Sequence, residues 1–461
     1  MVYGRDYSAT YAPVASWPVI RTLLSMVLLN NWQTIQVDYV LAYPQAPADR
    51  PTFMELPKGV TLSEGDPKDY LLDIQRNIYG KKQAGRVWYY HLRSKLESIG
   101  FQVSKHDDCV FYKGKAMYIL YTDDSILGGP NKAELDSILQ EMRSVGLDIT
   151  AEGGIADFLG VNIEHKTDGT IHLTQPHLIR SILEELRLQD NSTTKSTPMA
   201  TSKLLSRHSN AEPFDNHFNY RRVIGKLLFL EKSTRPDLAY AVHQCARFSA
   251  DPKVPHGQAL KWIGRYLKAT ADKGLIFKPG TIGLDLYVDA DFAGNWDPTI
   301  AATDPSTAQS RHGYVLMFCG MPLLWASQLQ SIIALSTTEA EYIGLSKAIQ
   351  DALPCICVLH EMKECGFPVP TAEPHVHCKV FEDNSGAIEI ATNPKYRPRT
   401  KHINQHFHFF RSLIQDPTLD FDPEKPFSIH PIKTTVQPAD YLTKPMDKST
   451  LESHRRFVQG W

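Results

Sequence analysis

The sequence predicts a multidomain chain of mixed α/β and α+β class. Three observations predict it. Its 461 residues suffice for roughly two to four domains. A stretch rich in Ser, Thr, Asn and Pro at 189–213, then Gly280 to Gly283, punctuates the chain. Beyond the second break, three predicted strands run in succession before strands and helices alternate, the order of a mixed sheet with helices packed on it. Hydrophobic residues at 42% and charged residues at 22% are ordinary globular usage, which excludes global disorder.

Each element follows from its residues. Val14 to Leu29 is an apolar helix after Pro13, and Thr34 to Val40 a strand ending near Asp38. Pro44 to Gly65 is mostly loop around a short strand at Thr52 to Leu56. Ala84 to Ile99 carries Val87, Trp88, Leu92 and Leu96 at helical spacing and stops at Gly100. Cys109 to Tyr112 and Met117 to Tyr121 are strands, and Ala133 to Val145 an amphipathic helix. Tyr220 to Ala250 and Pro255 to Lys268 are helices. Strands follow at Leu284 to Val288, Tyr314 to Phe318 and Leu323 to Ala326. Thr337 to Cys365 is helical, in two pieces broken at Pro354. Val376 to Phe381 and Phe427 to Ile432 are strands, with helices at Ser385 to Ala391, at Ile403 to Ile414 and from Pro438.

Charge and cysteine usage narrow the function. A net charge of −2 means that a nucleic-acid partner would have to be met by a local basic stripe. Seven scattered cysteines, an odd number, point to a reducing compartment. Met1 to Ser8 lack the apolar stretch of a signal peptide, and no apolar run reads as a membrane span. The expectation is an intracellular protein, in a cytoplasmic particle or the nucleus, with no membrane partner.

Two sets of acids carry the chemistry. In the first, Asp123 and Asp124 sit between apolar strands at a hairpin tip, and Asp38 ends another strand. Adjacent Asp residues repel unless a cation lies beside them, and Mg2+ takes one or two carboxylates plus substrate phosphates. Asp is also common in turns for purely structural reasons. In the second set, Asp289 ends a strand with Asp291 two residues on, able to share its face. Ser336 and Glu339 have capping-box spacing, while Glu341 lies about 200° further round the helix and faces the other way. Asp383 and Asp440 each open a helix, where an N-cap role is the plain alternative.

The surrounding residues resemble a known family. Asp38 to Tyr43, Ile78 to Trp88 and Tyr121 to Asp124 resemble the three motifs of copia-type reverse transcriptases. Lys81, Gly85 and Thr122 stand where that family has Leu, Pro and Val. Tyr287 to Gly294, Ser336 to Tyr342, Asp383 to Ile388, Thr400 to Ile403 and Ala439 to Pro445 resemble the same elements' RNase H domain. Tyr220 to Gly225 and Thr234 to Ala241 fit between them.

The resemblance implies a right-hand polymerase palm with partial fingers over 1–188 and a linker with a helical, thumb- or connection-like region over 189–280. An RNase H-like mixed sheet with helices would cover 281–461. It implies that Asp38, Asp123 and Asp124 hold two Mg2+ for polymerisation, and that Asp289, Glu341, Asp383 and Asp440 hold two for RNA cleavage, with Mn2+ as a substitute. Asp291 is the rival of Asp289. Tyr43 would close off the sugar 2′ position, Gln83 would touch the incoming nucleotide, and Lys82 and Arg86 would lie near it or the template. Lys395, Arg397, Arg399, Lys401 and His402 would grip phosphates. The partners implied are an RNA template, a DNA primer, an RNA–DNA hybrid and dNTPs.

Other classes fit less well. A DDE-type integrase places its glutamate last of the acids, whereas Glu341 precedes Asp383 and Asp440. His375, His377 and Cys378 lack a second ligand pair for zinc. A decayed or domesticated remnant that binds nucleic acid without catalysis would keep the same motifs. The segment Gly4 to Val14 resembles a point well inside the family's polymerase domain, so the expectation is a polymerase lacking the basic fingers hairpin that precedes it there. The expected outcome is weak or no dNTP incorporation by this chain alone on a primed RNA template. Normal incorporation in that primer-extension assay would contradict it.

Overall fold

The computed structural model describes residues 4, 7–188, 192–201, 205–207, 210–215, 217–371, 375–393, 405–416 and 419–461. They form two compact units: Met1–Ser16 with Asn30–Ile155, and Trp17–Leu29 with Ala156–Trp461. This division differs from the expected one. Residues 156–188 were expected with the first domain, but they cluster with the second unit, as does the early helix.

In the first unit, β1 (Gln33–Tyr39), β4 (Gln102–Val103), β5 (Val110–Lys113), β6 (Ala116–Tyr121), β7 (Asp124–Gly129) and β8 (Ile149–Glu152) make one sheet. Its order is β4-β5-β6-β7-β1-β8. β2 (Phe53–Glu55) and β3 (Leu71–Asp73) form a separate exposed ribbon. The short α2 (Ala42–Gln45) packs on α3 (Ala84–Ser98), and α4 (Lys132–Ser144) lies on β1 and β7. Burial of Trp88, Leu92 and Leu96 on one face holds α3 to the unit, as their spacing requires.

The second unit contains two sheets. β9 (Asp157–Phe158), β10 (Val161–His165), β11 (Ile171–Thr174) and β12 (Leu275–Phe277) form an antiparallel set. β13 (Leu284–Asp291), β14 (Arg311–Phe318), β15 (Met321–Leu329), β16 (Cys378–Glu382) and β17 (Phe427–Pro431) are ordered β15-β14-β13-β16-β17. β13 to β15 are an antiparallel meander, and β16 and β17 add in parallel. Strands β9 to β12 escaped the sequence reading, because their short runs, such as Ile171–Thr174, hold too few residues to show a period.

Helices α1 (Trp17–Asn30), α5 (Pro176–Glu185), α6 (Tyr220–Ser233), α7 (Ala239–Ala246), α8 (Val254–Ala269), α9 (Thr337–Glu364), α10 (Ser385–Thr392) and α11 (Lys448–Gln459) complete the described set. The helix expected over Tyr220 to Ala250 is interrupted by a 3-10 turn at Pro236–Leu238, since Pro236 cannot donate into the ladder. The break expected at Pro354 does not occur. α9 runs through it, because apolar residues on both sides pack on β13 and β14 and outweigh the cost of about 3 kcal/mol. α9 is long and apolar enough to cross a membrane, with a mean hydropathy of 1.3 over its most apolar window. That window is 67% buried within the unit, as befits a core helix.

Three buried arginines tie the second unit together. Arg21 of α1 donates to the carbonyls of Leu323, Ser233 and Lys232 and lies 3.9 Å over the Trp325 ring. Arg235 donates two hydrogen bonds to the Asp237 carboxylate, at 2.9 and 2.8 Å, and Asp237 also accepts from Tyr266 at 2.6 Å and from Gln459 of α11 at 3.0 Å. Arg455 donates to Tyr266 at 2.8 Å and stacks on Trp461. Replacing Asp237 with Ala leaves Arg235 charged in an apolar interior and is expected to destabilise the unit by about 3–5 kcal/mol. Urea unfolding measures it, and a loss under about 1 kcal/mol would contradict the account.

Candidate functional site: two acidic centres

The first centre is built by strand pairing. Asp38 of β1 stands directly opposite Asp124 of β7, so the two carboxylates share one face. Like charges so placed repel unless a cation joins them. Tyr121 pairs with Asp124, which leaves Thr122 and Asp123 as the turn. Thr122 is held at φ 58°, a left-handed conformation that a β-branched residue rarely adopts. Trp88 Nε1 donates to the Thr122 carbonyl at 2.8 Å and fastens the tip to α3. The Tyr43 and Tyr79 rings lie 4.6 Å apart, and burial, then the charge of Asp123, raises the pKa of both hydroxyls. Gln83 is buried, with its amide donating to Asp49 at 3.3 Å. Lys82 is exposed, and the Arg86 guanidinium lies 4.8 Å over the Tyr90 ring.

The second centre is tighter. Carboxylate oxygens of Asp289, Glu341 and Asp383 all lie within 4.8 Å of one another. Among the described residues no other group of three or more His, Cys, Asp or Glu meets that test, so Asp38, Asp123 and Asp124 do not gather as closely. Asp289 lies near the C-terminal end of β13, and Asp383 directly follows β16, its parallel neighbour. Outside the carboxyl ends of parallel strands is where open α/β sheets place their ligands.

Local chemistry decides which acids are free for this role. Ser336 Oγ accepts from Glu339 N–H at 3.1 Å, and Glu339 accepts from Leu335 N–H at 2.7 Å, so Glu339 serves the helix start. Glu341, on the other face, is buried against the sheet. Asn384 rather than Asp383 caps α10, accepting from Ala387 N–H at 3.0 Å. The cap before Asp440 is Gln437, whose amide also donates to Val288 O at 2.8 Å. That bond seats the 3-10 turn Pro438–Leu442 against the sheet, where a full helix was expected. The carboxylate of Asp291 lies against Gly294, in the space a Cβ there would fill, and is outside the 4.8 Å set.

Gly313, the cross-strand partner of Asp289, makes room for the turn that carries Asp440. A Cβ there would come within 2.6 Å of Leu442 Cβ and 2.9 Å of Thr443 Cγ2. Thr443 donates its hydroxyl to Asp289 Oδ2, and Lys444 Nζ lies 2.8 Å from Asp440 Oδ1. Asp440 is outside the 4.8 Å set and approaches it through these two side chains.

The electrostatics follow from crowding. Burial, then Asp440 and Asp383, pushes the Asp289 carboxyl up to about 7. Burial, then Glu382, Asp289 and Asp383, raises Glu341 further. Glu382 is a fifth acid that the sequence reading did not single out. It is fully buried, one oxygen accepts from Asn384 N–H at 3.0 Å, and Oε2 has no partner. Glu341 Oε2 is likewise buried without a partner. Oxygen-only donors, crowded and under-satisfied, fit a hard divalent cation. The basic residues Lys395, Arg397, Arg399, Lys401 and His402 lie outside the described residues. His377, weighed as a zinc ligand, instead meets Ser428 Oγ at 2.7 Å.

Residues 1–201 match the family model described as reverse transcriptase (RNA-dependent DNA polymerase), which sets the first part of the chain in the reverse transcriptase class. The chain is 32% identical to the retrovirus-related Pol polyprotein from transposon RE2 of Arabidopsis thaliana, over 99% of its own length and 29% of that relative. It is 30% identical to the corresponding polyprotein from transposon TNT 1-94 of Nicotiana tabacum, over 99% of its length and 33% of that relative. The chain belongs to the family of retrovirus-related Pol polyproteins of copia-type transposons and spans 29% to 33% of the length of these relatives. The N-terminal RNase H domain of a Mycobacterium tuberculosis protein overlaps 38% of the chain and 98% of its own, with a TM-score of 0.23 and 13% identity. An overlap that small adds nothing to the pairing of β13 to β17 described above.

Proposed function

We propose that the chain is a retrotransposon reverse transcriptase and ribonuclease H, whose second unit cleaves the RNA strand of RNA–DNA hybrids. The convergence of Asp289, Glu341 and Asp383 within 4.8 Å, beside an Asp440 turn that Gly313 admits, carries this reading. Two Mg2+, or Mn2+ in their place, would supply Lewis-acid activation of water and charge relief at the leaving 3′-oxygen. Asp289, which lies within 4.8 Å of Glu341 and Asp383 and feels the charge of Asp440, would serve with all three as a ligand. Glu341 is fixed by the rigid α9, and Asp383 by the parallel strand ahead of it. The acids are thus held before any cation arrives, as electrostatic preorganisation requires.

In the first unit, Asp38, Asp123 and Asp124 are proposed to hold the ions for DNA synthesis on an RNA template from a DNA primer. Tyr43 would border the sugar of the incoming dNTP. The facing of Asp38 and Asp124 across β1 and β7 supports this assignment. Gln83, tied to Asp49, would have to break that bond to reach a nucleotide.

The nuclease reading is tested with an end-labelled RNA–DNA hybrid. The expected outcome is Mg2+-dependent degradation of the RNA strand, reduced at least a hundredfold in Asp383→Asn, the order of loss typical for a preorganised charge at the reacting centre. Equal rates for Asp383→Asn and the unaltered chain, or no cleavage by either, would overturn it.

A further inference from the structure

The two sides of the second acidic centre are not satisfied alike. On one side, Glu341 Oε2 and Glu382 Oε2 are buried with no partner. Among the described residues, no cationic side chain pairs with Glu341, Glu382 or Asp383. On the other side, Asp440 Oδ1 is also buried without a hydrogen bond, but a cation and a hydroxyl of the chain's own lie against the acids. The Lys444 ammonium sits 2.8 Å from Asp440 Oδ1, and the Thr443 hydroxyl donates to Asp289 Oδ2.

Both donors belong to the segment that delivers Asp440. Thr443 N–H and Lys444 N–H each bond the Asp440 carbonyl, at 3.1 and 3.2 Å, and the Thr443 hydroxyl bonds it at 3.0 Å. The acid and its covering cation are therefore one rigid turn, pressed onto β14 at Gly313. The Lys444 side chain is 38% exposed whereas that of Asp440 is 10% exposed. The ammonium consequently has a path to water that the carboxylate lacks.

We infer that Lys444 is a built-in counter-ion on the Asp440 side of the centre, so that two divalent cations bind in order. The first enters between Glu341, Asp383 and Asp289, where no cationic side chain among the described residues competes. The second binds at Asp289 and Asp440 only as the Lys444 ammonium swings out to solvent, and it binds more weakly by the strength of the ion pair it displaces. This inference rests on the nuclease reading above. It adds that the affinity of the second position is set by a residue that is not itself a ligand.

The test is a Mn2+ titration of the chelator-stripped full chain, with free Mn2+ followed by electron paramagnetic resonance. With the first centre's ligands removed throughout by Asp38→Asn, Asp123→Asn and Asp124→Asn, the chain with Lys444 intact is expected to bind in two resolved steps. In Lys444→Met the weaker step should tighten about fivefold or more, as loss of a partly exposed ion pair implies, with a smaller change in the stronger step. Lys444→Arg should keep the two-step pattern. Lys444→Gln is the second variant should Lys444→Met fold poorly, and the same tightening is expected. In chelator, both neutral variants should melt below the unaltered chain and gain more from Mn2+. A weaker step that is unchanged or further weakened in both neutral variants would overturn the inference while leaving the nuclease reading standing. Binding by the unaltered chain no greater than that by Asp383→Asn would overturn both.

Discussion

Carboxylates crowded into a medium that solvates them poorly are the constraint around which the second unit is built. Asp289, Glu341 and Asp383 meet where two parallel strands end, and burial strips Asp289 and Glu341 of water that would screen their repulsion, while Asp383 is half-buried. Left ionised without a cation, they would push the strand ends and α9 apart. The chain resists this partly by holding protons, as the raised pKa of Asp289 and Glu341 records, and partly with Thr443 and Lys444.

Holding such a cluster demands a stiff frame, and the features far from the acids supply it. The Arg235–Asp237 pair with Tyr266, Arg455 and Gln459 joins the helical segment at 220–269 to the C-terminal helix, just past the Asp440 turn. Gln437 bridges the ends of β13 and β16, bonding Val288 O and reaching Phe381 O at 3.4 Å. Gly344 lets α9 approach the sheet, with His312, Val288 and Ala290 within 3.4 to 3.7 Å of where its Cβ would be. Each is a packing or backbone device whose effect is to fix the distance between charges. The first unit uses the same logic more loosely: its acids face each other across a ladder, but Asp38 is exposed and water shares the work.

Much of this was legible in the sequence, and the reasons are specific. Acids at the ends of apolar runs can be read from hydrophobic patterning, so Asp38, Asp123, Asp289 and Asp383 stand out. The capping box at Ser336 separated the roles of Glu339 and Glu341 before any coordinates, because helical spacing alone sends them to opposite faces. The choice between Asp289 and Asp291 was not legible, since alternation allows both. It depends on how the strand leaves the sheet at Gly294, a tertiary matter. Glu382 was missed because an acid beside a better candidate carries no periodic signal. Lys444 was visible in its motif, but its pairing with Asp440 depends on a 3-10 turn where a helix was expected. The grouping of residues 156–188 with the second unit was not legible for a related reason. Composition marks linkers, whereas β9 to β12 and α1 join the second unit through contacts between residues more than a hundred positions apart.

The central claim is that these carboxylates are close enough to resist simultaneous ionisation. It is tested most directly by comparing thermal stability across about pH 5 to pH 8 in chelator between the unaltered chain and Glu341→Gln. A carboxyl whose folded pKa is raised contributes stability that is complete below its unfolded value and is lost as pH rises through the folded one. For Glu341, the group that the substitution removes, that window runs from 4.5 to about 11, so pH 5 to pH 8 lies inside it. The account predicts that the unaltered chain loses stability relative to Glu341→Gln as pH rises, and that Mn2+ abolishes the difference. Parallel curves for the two proteins, unmoved by Mn2+, would contradict it.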